Sequence, residues 1–116
     1  MNDVKPVINE PFIEGLKEGD ELSISQKVNI GFRTDIPEIA AVAMYLQDVQ
    51  TGEFLVGGLL ELVRSDNKLL ITIERTYSRL NSEAKIGHTA VVCVAVVFRD
   101  VQTVTIHRGG KFKLIA

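Results

Sequence analysis

Thr89-Ala90-Val91-Val92-Cys93-Val94-Ala95-Val96-Val97-Phe98-Arg99 is the stretch that decides the architecture. Residues 90–98 are apolar without a break, yet the run is only about half as long as a membrane-spanning helix requires. Read as a strand, it splits into two stripes, because successive side chains point to opposite faces. Ala90, Val92, Val94, Val96 and Phe98 form one stripe, in phase with His88; Val91, Cys93, Ala95 and Val97 form the other. A strand that is apolar on both faces belongs in the middle of a sheet.

Two further segments keep the same period. Leu22, Ile24, Val28, Ile30 and Phe32 alternate with Ser23, Ser25, Lys27, Asn29 and Arg33, and Gln26 is the one break in the apolar phase. This predicts a strand over 21–33 with one dry and one wet face, as in antiparallel sheets. Ala40, Val42, Met44 and Leu46 mark another over 38–47. Its start could pass for a helix, but Pro37 precedes it and a Gly52-containing loop over 48–53 closes it as a hairpin.

The rest of the chain fits around these. Residues 1–10 read as a loose lead-in, with Pro6 and Pro11 confining any strand there to an edge. Residues 15–20 are a turn. The segment 54–64 is a return strand with a bulge or bend at Gly57-Gly58. A tight turn at 65–68 leads to a strand over 69–77. The irregular stretch 76–87 has room for one helical turn, with Leu80 pointing inward. After a turn at 99–103, residues 104–115 form a last strand interrupted at Gly109-Gly110. About seven strands with regularly spaced turns and no long helix are the mark of a sandwich or a small barrel. We therefore expect one all-β, antiparallel domain over 1–116.

Composition excludes several roles. The chain has 116 residues, 46% of them hydrophobic and 24% charged, which is ordinary for a folded domain of the commonest size. A formal net charge of -2, with scattered lysines and arginines, supplies no attraction to nucleic acid or to an anionic membrane. Arg108, Lys111 and Lys113 come nearest to a cluster and read as a solvated last strand. The single Cys93 precludes an intrachain disulfide and sits among apolar neighbours, as a small buried hydrophobe. Residues 1–20 lack the continuous apolar core of a secretory signal, so a cytoplasmic protein is expected, a virion or secreted assembly being the alternative.

Chemistry is equally sparse. If the last hairpin turns about Val101-Gln102, His107 faces Val96 and stands roughly 26 Å from His88 at the usual strand rise. The two cannot share an ion, and no other metal-ligand spacing is present. There is no Gly-x-Ser-x-Gly and no phosphate loop between strand and helix. Glu14, Glu18, Asp20 and Glu21 crowd an expected surface turn, where nothing would separate their pKa values for acid–base work. With no Trp and only Tyr45 and Tyr77, aromatic platforms for sugars or single strands are hard to assemble. No catalytic, metal or cofactor site is expected.

One feature exceeds what a core requires. If Val92, Val94 and Val96 face inward, Val91, Cys93, Ala95 and Val97 cover the opposite side. Ala41, Ala43 and Tyr45 repeat this when Val42, Met44 and Leu46 face inward. Were these strands adjacent, they would present an apolar face larger than monomers usually leave bare. These seven residues are the expected interface, covered either by another subunit or by a segment of the same chain such as 7–13; the alternative is a closed barrel or covered sheet in which both faces are legitimately dry.

The ordering of segments resembles the bacterial immunoglobulin-like modules. A Pro-containing first strand (Pro6 to Ile13) precedes the long alternating strand, followed by the unit Ala41-Val42-Ala43-Met44-Tyr45-Leu46-Gln47-Asp48 through Thr51-Gly52-Glu53. Gly87-His88-Thr89-Ala90-Val91-Val92 then feeds a final hairpin ending Lys111-Phe112-Lys113-Leu114-Ile115. The chain departs from antibody-type domains in lacking the Cys pair, the core Trp and the corner Tyr, where Val91 stands. The resemblance implies a seven-stranded sandwich and a spacer, adhesive or decorating role on larger bacterial or phage assemblies. The expected function is a non-enzymatic structural or protein-binding module that forms homo-oligomers. The alternative is a small ligand-binding or accessory β-domain. Loops 48–53 and 99–103 are expected to adjoin at one end and contact partners through Gln50, Thr51, Glu53, Asp100 and Gln102.

Overall fold

The computed structural model describes residues 10–34, 39–63, 71–77, 80, 85–100 and 102–116, with only the backbone for 71–75. Most of the expected lead-in, the turn at 65–68 and most of 78–83 lie outside the described residues. The protein is all-β. Its strands are β1 (Pro11–Ile13), β2 (Glu21–Ser23), β3 (Val28–Thr34), β4 (Ile39–Asp48), β5 (Phe54–Leu62), β6 (Ile71–Tyr77), β7 (Thr89–Phe98) and β8 (Val104–Ile115). They form a three-stranded sheet ordered β1-β3-β6 and a five-stranded sheet ordered β2-β8-β7-β4-β5. One of the two sheets curls into a half-barrel, and no α-helix occurs among the described residues.

Both sheets contribute to one core. Val42, Met44 and Leu46 of β4 and Ala90, Val92, Val94 and Val96 of β7 pack in a cluster with Val28, Ile30 and Phe32 of β3. Ile13, Leu22, Ile24, Ile39, Leu80, Phe112 and Leu114 complete it, all buried. Each such side chain is worth about 1.5–3 kcal/mol relative to exposure, so the alternating stripes are the main stabilising term. Leu80 points inward as its isolation among polar residues predicts.

The stretch 21–33 is two strands in different sheets, not one. The break falls at Gln26, whose side-chain oxygen accepts the Ser23 N–H at 2.9 Å while its own N–H donates to the Ser23 carbonyl at 3.2 Å. That turn carries the chain from the five-stranded sheet into the three-stranded one. β2 then pairs parallel with β8, Leu22 beside Leu114, so the larger sheet is mixed rather than wholly antiparallel.

Two glycine pairs bend the larger sheet. At Gly57-Gly58 the β4–β5 register shifts, both residues have positive φ (86° and 100°), and a Cβ on Gly57 would collide with the Met44 carbonyl oxygen. At Gly109-Gly110 the β7–β8 register shifts, and a Cβ on Gly109 would collide with the Pro11 carbonyl oxygen where β1 approaches β8. Both are bulges, the second fitted to a close backbone approach.

Candidate functional site: the outer face of the five-stranded sheet

β4 and β7 are neighbours, antiparallel, with Ala41 opposite Val97, Ala43 opposite Ala95, and Tyr45 opposite Cys93. The seven interface residues expected from the sequence therefore lie on one continuous sheet face, the side away from the core. Yet five of them (Ala41, Ala43, Tyr45, Val91 and Cys93) are buried within the single chain, while Ala95 and Val97 are half-buried. β1, which was expected to be able to fold across this face, instead pairs with β3, and Ile13 enters the core.

Among the described residues, the neighbours on this face are the flanking strands. Leu62 stands opposite Ala41 and Leu60 opposite Ala43 on β5; Val104 faces Val97, Ile106 faces Ala95 and Arg108 faces Cys93 on β8. Phe54 stacks on Tyr45, ring centroids 4.2 Å apart and planes 8° from parallel. Short side chains on two central strands thus sit in the lee of longer ones on each side. The apolar surface left to water belongs to those longer residues: Leu62 is 86% exposed, Leu60 57%, Val104 56%, Phe54 54% and Ile106 47%. Two apolar rows, Leu62–Ala41–Val97–Val104 and Leu60–Ala43–Ala95–Ile106, cross four strands. The sequence reading missed the ends of both rows. A signal was present in the period-two spacing of Leu60 with Leu62 and of Val104 with Ile106, but it points to this face only once the register is known.

Below those rows the face becomes polar. Burial pushes the Tyr45 phenol up, with Cys93 adding to the shift and Arg108 opposing it. Burial likewise raises the Cys93 thiol, against the nearby Arg108. Cys93 is therefore a protonated, enclosed side chain, as its apolar neighbours in the sequence suggest. Arg108 and Lys111 flank a shallow cleft of about 290 Å³ with Gln47, Gly52 and Val91. Arg108, Lys111 and Lys113 are all exposed, which agrees with a solvated last strand.

The two loops chosen as partner contacts do not adjoin. Asp48 pairs with Ala90 and Ile39 with Phe98, which puts 48–53 and 99–103 at opposite ends of the β4–β7 pair. Both loops direct their polar groups into their own structure. Asp48 is fully buried; its carboxylate accepts the Gln50 N–H (3.0 Å) and the Thr51 hydroxyl (2.8 Å), and lies 2.9 Å from Nδ1 of His88. Gln50 accepts the Thr89 N–H at 3.0 Å, and Glu53 pairs with Lys85 at 2.6 Å. Burial pushes the Asp48 carboxyl up, but His88, Thr51 and the Gln50 amide outweigh it and hold the group below its usual range. At the other end Asp100 accepts N–H bonds from Gln102 and Thr103 (both 3.0 Å) and the Thr103 hydroxyl at 2.8 Å. Those bonds also move the hairpin register: Val97 faces Val104 and Val94 faces His107, two residues from the expected pairing. His107 and His88 stay apart, separated by six positions along β7, roughly 20 Å.

A second cleft, about 370 Å³, opens where β1 approaches the β8 bulge, between Pro11, Phe12, Leu16, Glu18, Arg108 and Gly110. No three His, Cys, Asp or Glu side chains gather at one point among the described residues, and no described helix is long and apolar enough to cross a membrane. No protein-family model matches the chain, and no curated protein matches it in sequence.

Proposed function

We propose that this chain is a non-enzymatic protein-binding or structural module that works through the outer face of its five-stranded sheet, seated against a second copy of itself. The observation that carries this reading is the pair of apolar rows from β5 to β8, whose ends are from 47% to 86% exposed. Together they make a patch of several hundred Å², at the upper end of what monomers leave bare. The patch is ridged at both margins and shallow between them, so the ridge of one copy can lie in the alanine trough of another. Two sheets sharing one core support an immunoglobulin-like sandwich, the architecture of spacer and decorating modules in bacterial and phage assemblies.

Light scattering over a concentration series tests it. The wild-type chain is expected as a dimer or larger species, and Ile106→Glu or Val97→Glu should lower the mass while leaving β-sheet circular dichroism intact. A wild-type monomer at all concentrations overturns the reading, as does unfolding of both variants. The second reading, a small ligand-binding or accessory β-domain, draws support from the cleft between β1 and the β8 bulge, whose volume falls at the low end for ligand pockets. A monomer stabilised against heat by a small molecule, with the effect lost in Arg108→Ala, would favour it.

A further inference from the structure

We propose that β5 is a pairing edge, which adds antiparallel to β5 of a second copy and joins two five-stranded sheets into one. The inference rests on the strand edge and holds or fails independently of the face contact above. Among the described strands β5 has β4 on one side and no strand on the other. A strand in that position offers a row of backbone donors and acceptors to any other chain, and stable folds blunt such rows.

Among the described strands, two of the other edges are blunted. β1 and β2 are three residues each; β1 begins at Pro11 and β2 at Glu21. β5 is nine residues, Phe-Leu-Val-Gly-Gly-Leu-Leu-Glu-Leu, with no Pro, Lys or Arg and the single charge Glu61. The bulge at Gly57-Gly58 twists its first half, which leaves residues 59–62 as the straight, open part. That part exposes leucines on both sides: Leu59 is 77% exposed beside the half-buried Glu61, and on the other side Leu60 is 57% and Leu62 86% exposed.

The occupant that fits is the same strand from another copy. A two-fold axis pairs the edge with itself, satisfies both open rows in one contact and leaves no new edge, whereas an unrelated added strand would present one of its own. Centred on Leu60, the axis sets Leu60 against its counterpart and Leu59 beside the counterpart of Glu61, which keeps the two Glu61 carboxylates from direct opposition. The row Leu60–Ala43–Ala95–Ile106 then runs on across the axis into the same row of the second copy, doubling the apolar face.

Two measurements decide it. Leu59→Lys places a charge on the edge at an exposed position, so folding should survive and the solution mass should fall relative to wild type, to the face-paired species where that contact holds and to the monomer where it does not. An unchanged mass overturns the proposal. Separately, Leu60→Cys under mild oxidation should give a covalent dimer in high yield, because Cys93 is fully enclosed and the introduced thiol faces its counterpart. Val104→Cys, exposed on the same face but on β8, is the control; equal yields from the two would also overturn the pairing. Ile106→Glu, by contrast, should leave the Leu60→Cys cross-link intact, and this separates failure of the edge from failure of the face.

Discussion

The two faces of the β4–β7 pair are built from the same alternation and are both largely dry, but for different reasons. On the inner face Val42, Met44, Leu46, Val92, Val94 and Val96 are sealed by the opposing sheet. On the outer face Ala41, Ala43, Tyr45, Val91 and Cys93 have, among the described residues, longer side chains of β5 and β8 on either side of them and no opposing sheet. Low accessibility therefore does not distinguish a core from a sheltered surface. The distinction lies in what does the covering, and it sets how each face responds to substitution.

The largest effect is expected on the inner side. Phe32→Ala, at a fully buried position, should cost about 3–5 kcal/mol by chemical denaturation, a cavity that the opposing sheet cannot collapse to fill. Next comes the bulge that lets β5 shade β4: Gly57→Ala combines a positive φ with a collision against the Met44 carbonyl, and a loss of about 1–3 kcal/mol should appear as a lower Tm. On the sheltered face Phe54→Ala should cost only about 0.5–1.5 kcal/mol, the scale of a stacked aromatic pair, while making Tyr45 fluorescence more quenchable by solutes. If Phe54→Ala matched Phe32→Ala, the two faces would be energetically alike and the distinction would fail.

The smallest effect concerns acid. Asp48 is held below its ordinary carboxyl value of 3.8, so its contribution is fully present above that value and is lost as pH falls through the lower, folded one. Wild type should lose urea resistance below about pH 4. Asp48→Asn, lacking the titrating group, should start lower and change less over the same window.

Several elements were legible in the sequence because strict period two announces them. The last strand matches the expected span at 104–115, and β4 and β7 agree within about a residue at each end, the usual uncertainty of strand limits. Gln26 was visible as a phase break, but its meaning was not. A polar residue in a dry stripe marks either a tolerated defect or a crossing between sheets, and only the partners of Leu22 and Ile30 distinguish these. Partner identity also hid the exposed site. The outward-facing positions on β4 and β7 were readable from alternation alone, whereas the place of Leu60, Leu62, Val104 and Ile106 on that face follows only from register. The expectation that the two loops adjoin failed for the same reason: strand order decides which turns share an end.

The parallel pairing of β2 with β8 has a kinetic consequence. Leu22 and Leu114 are neighbours in space but lie far apart along the chain, and both are fully enclosed. Long-range closures of this kind are slow and come late, since the chain entropy they cost is recovered only when the last contacts form. During synthesis, the early segment around Leu22 must wait for β8 to emerge from the ribosome before its own place in the sheet exists.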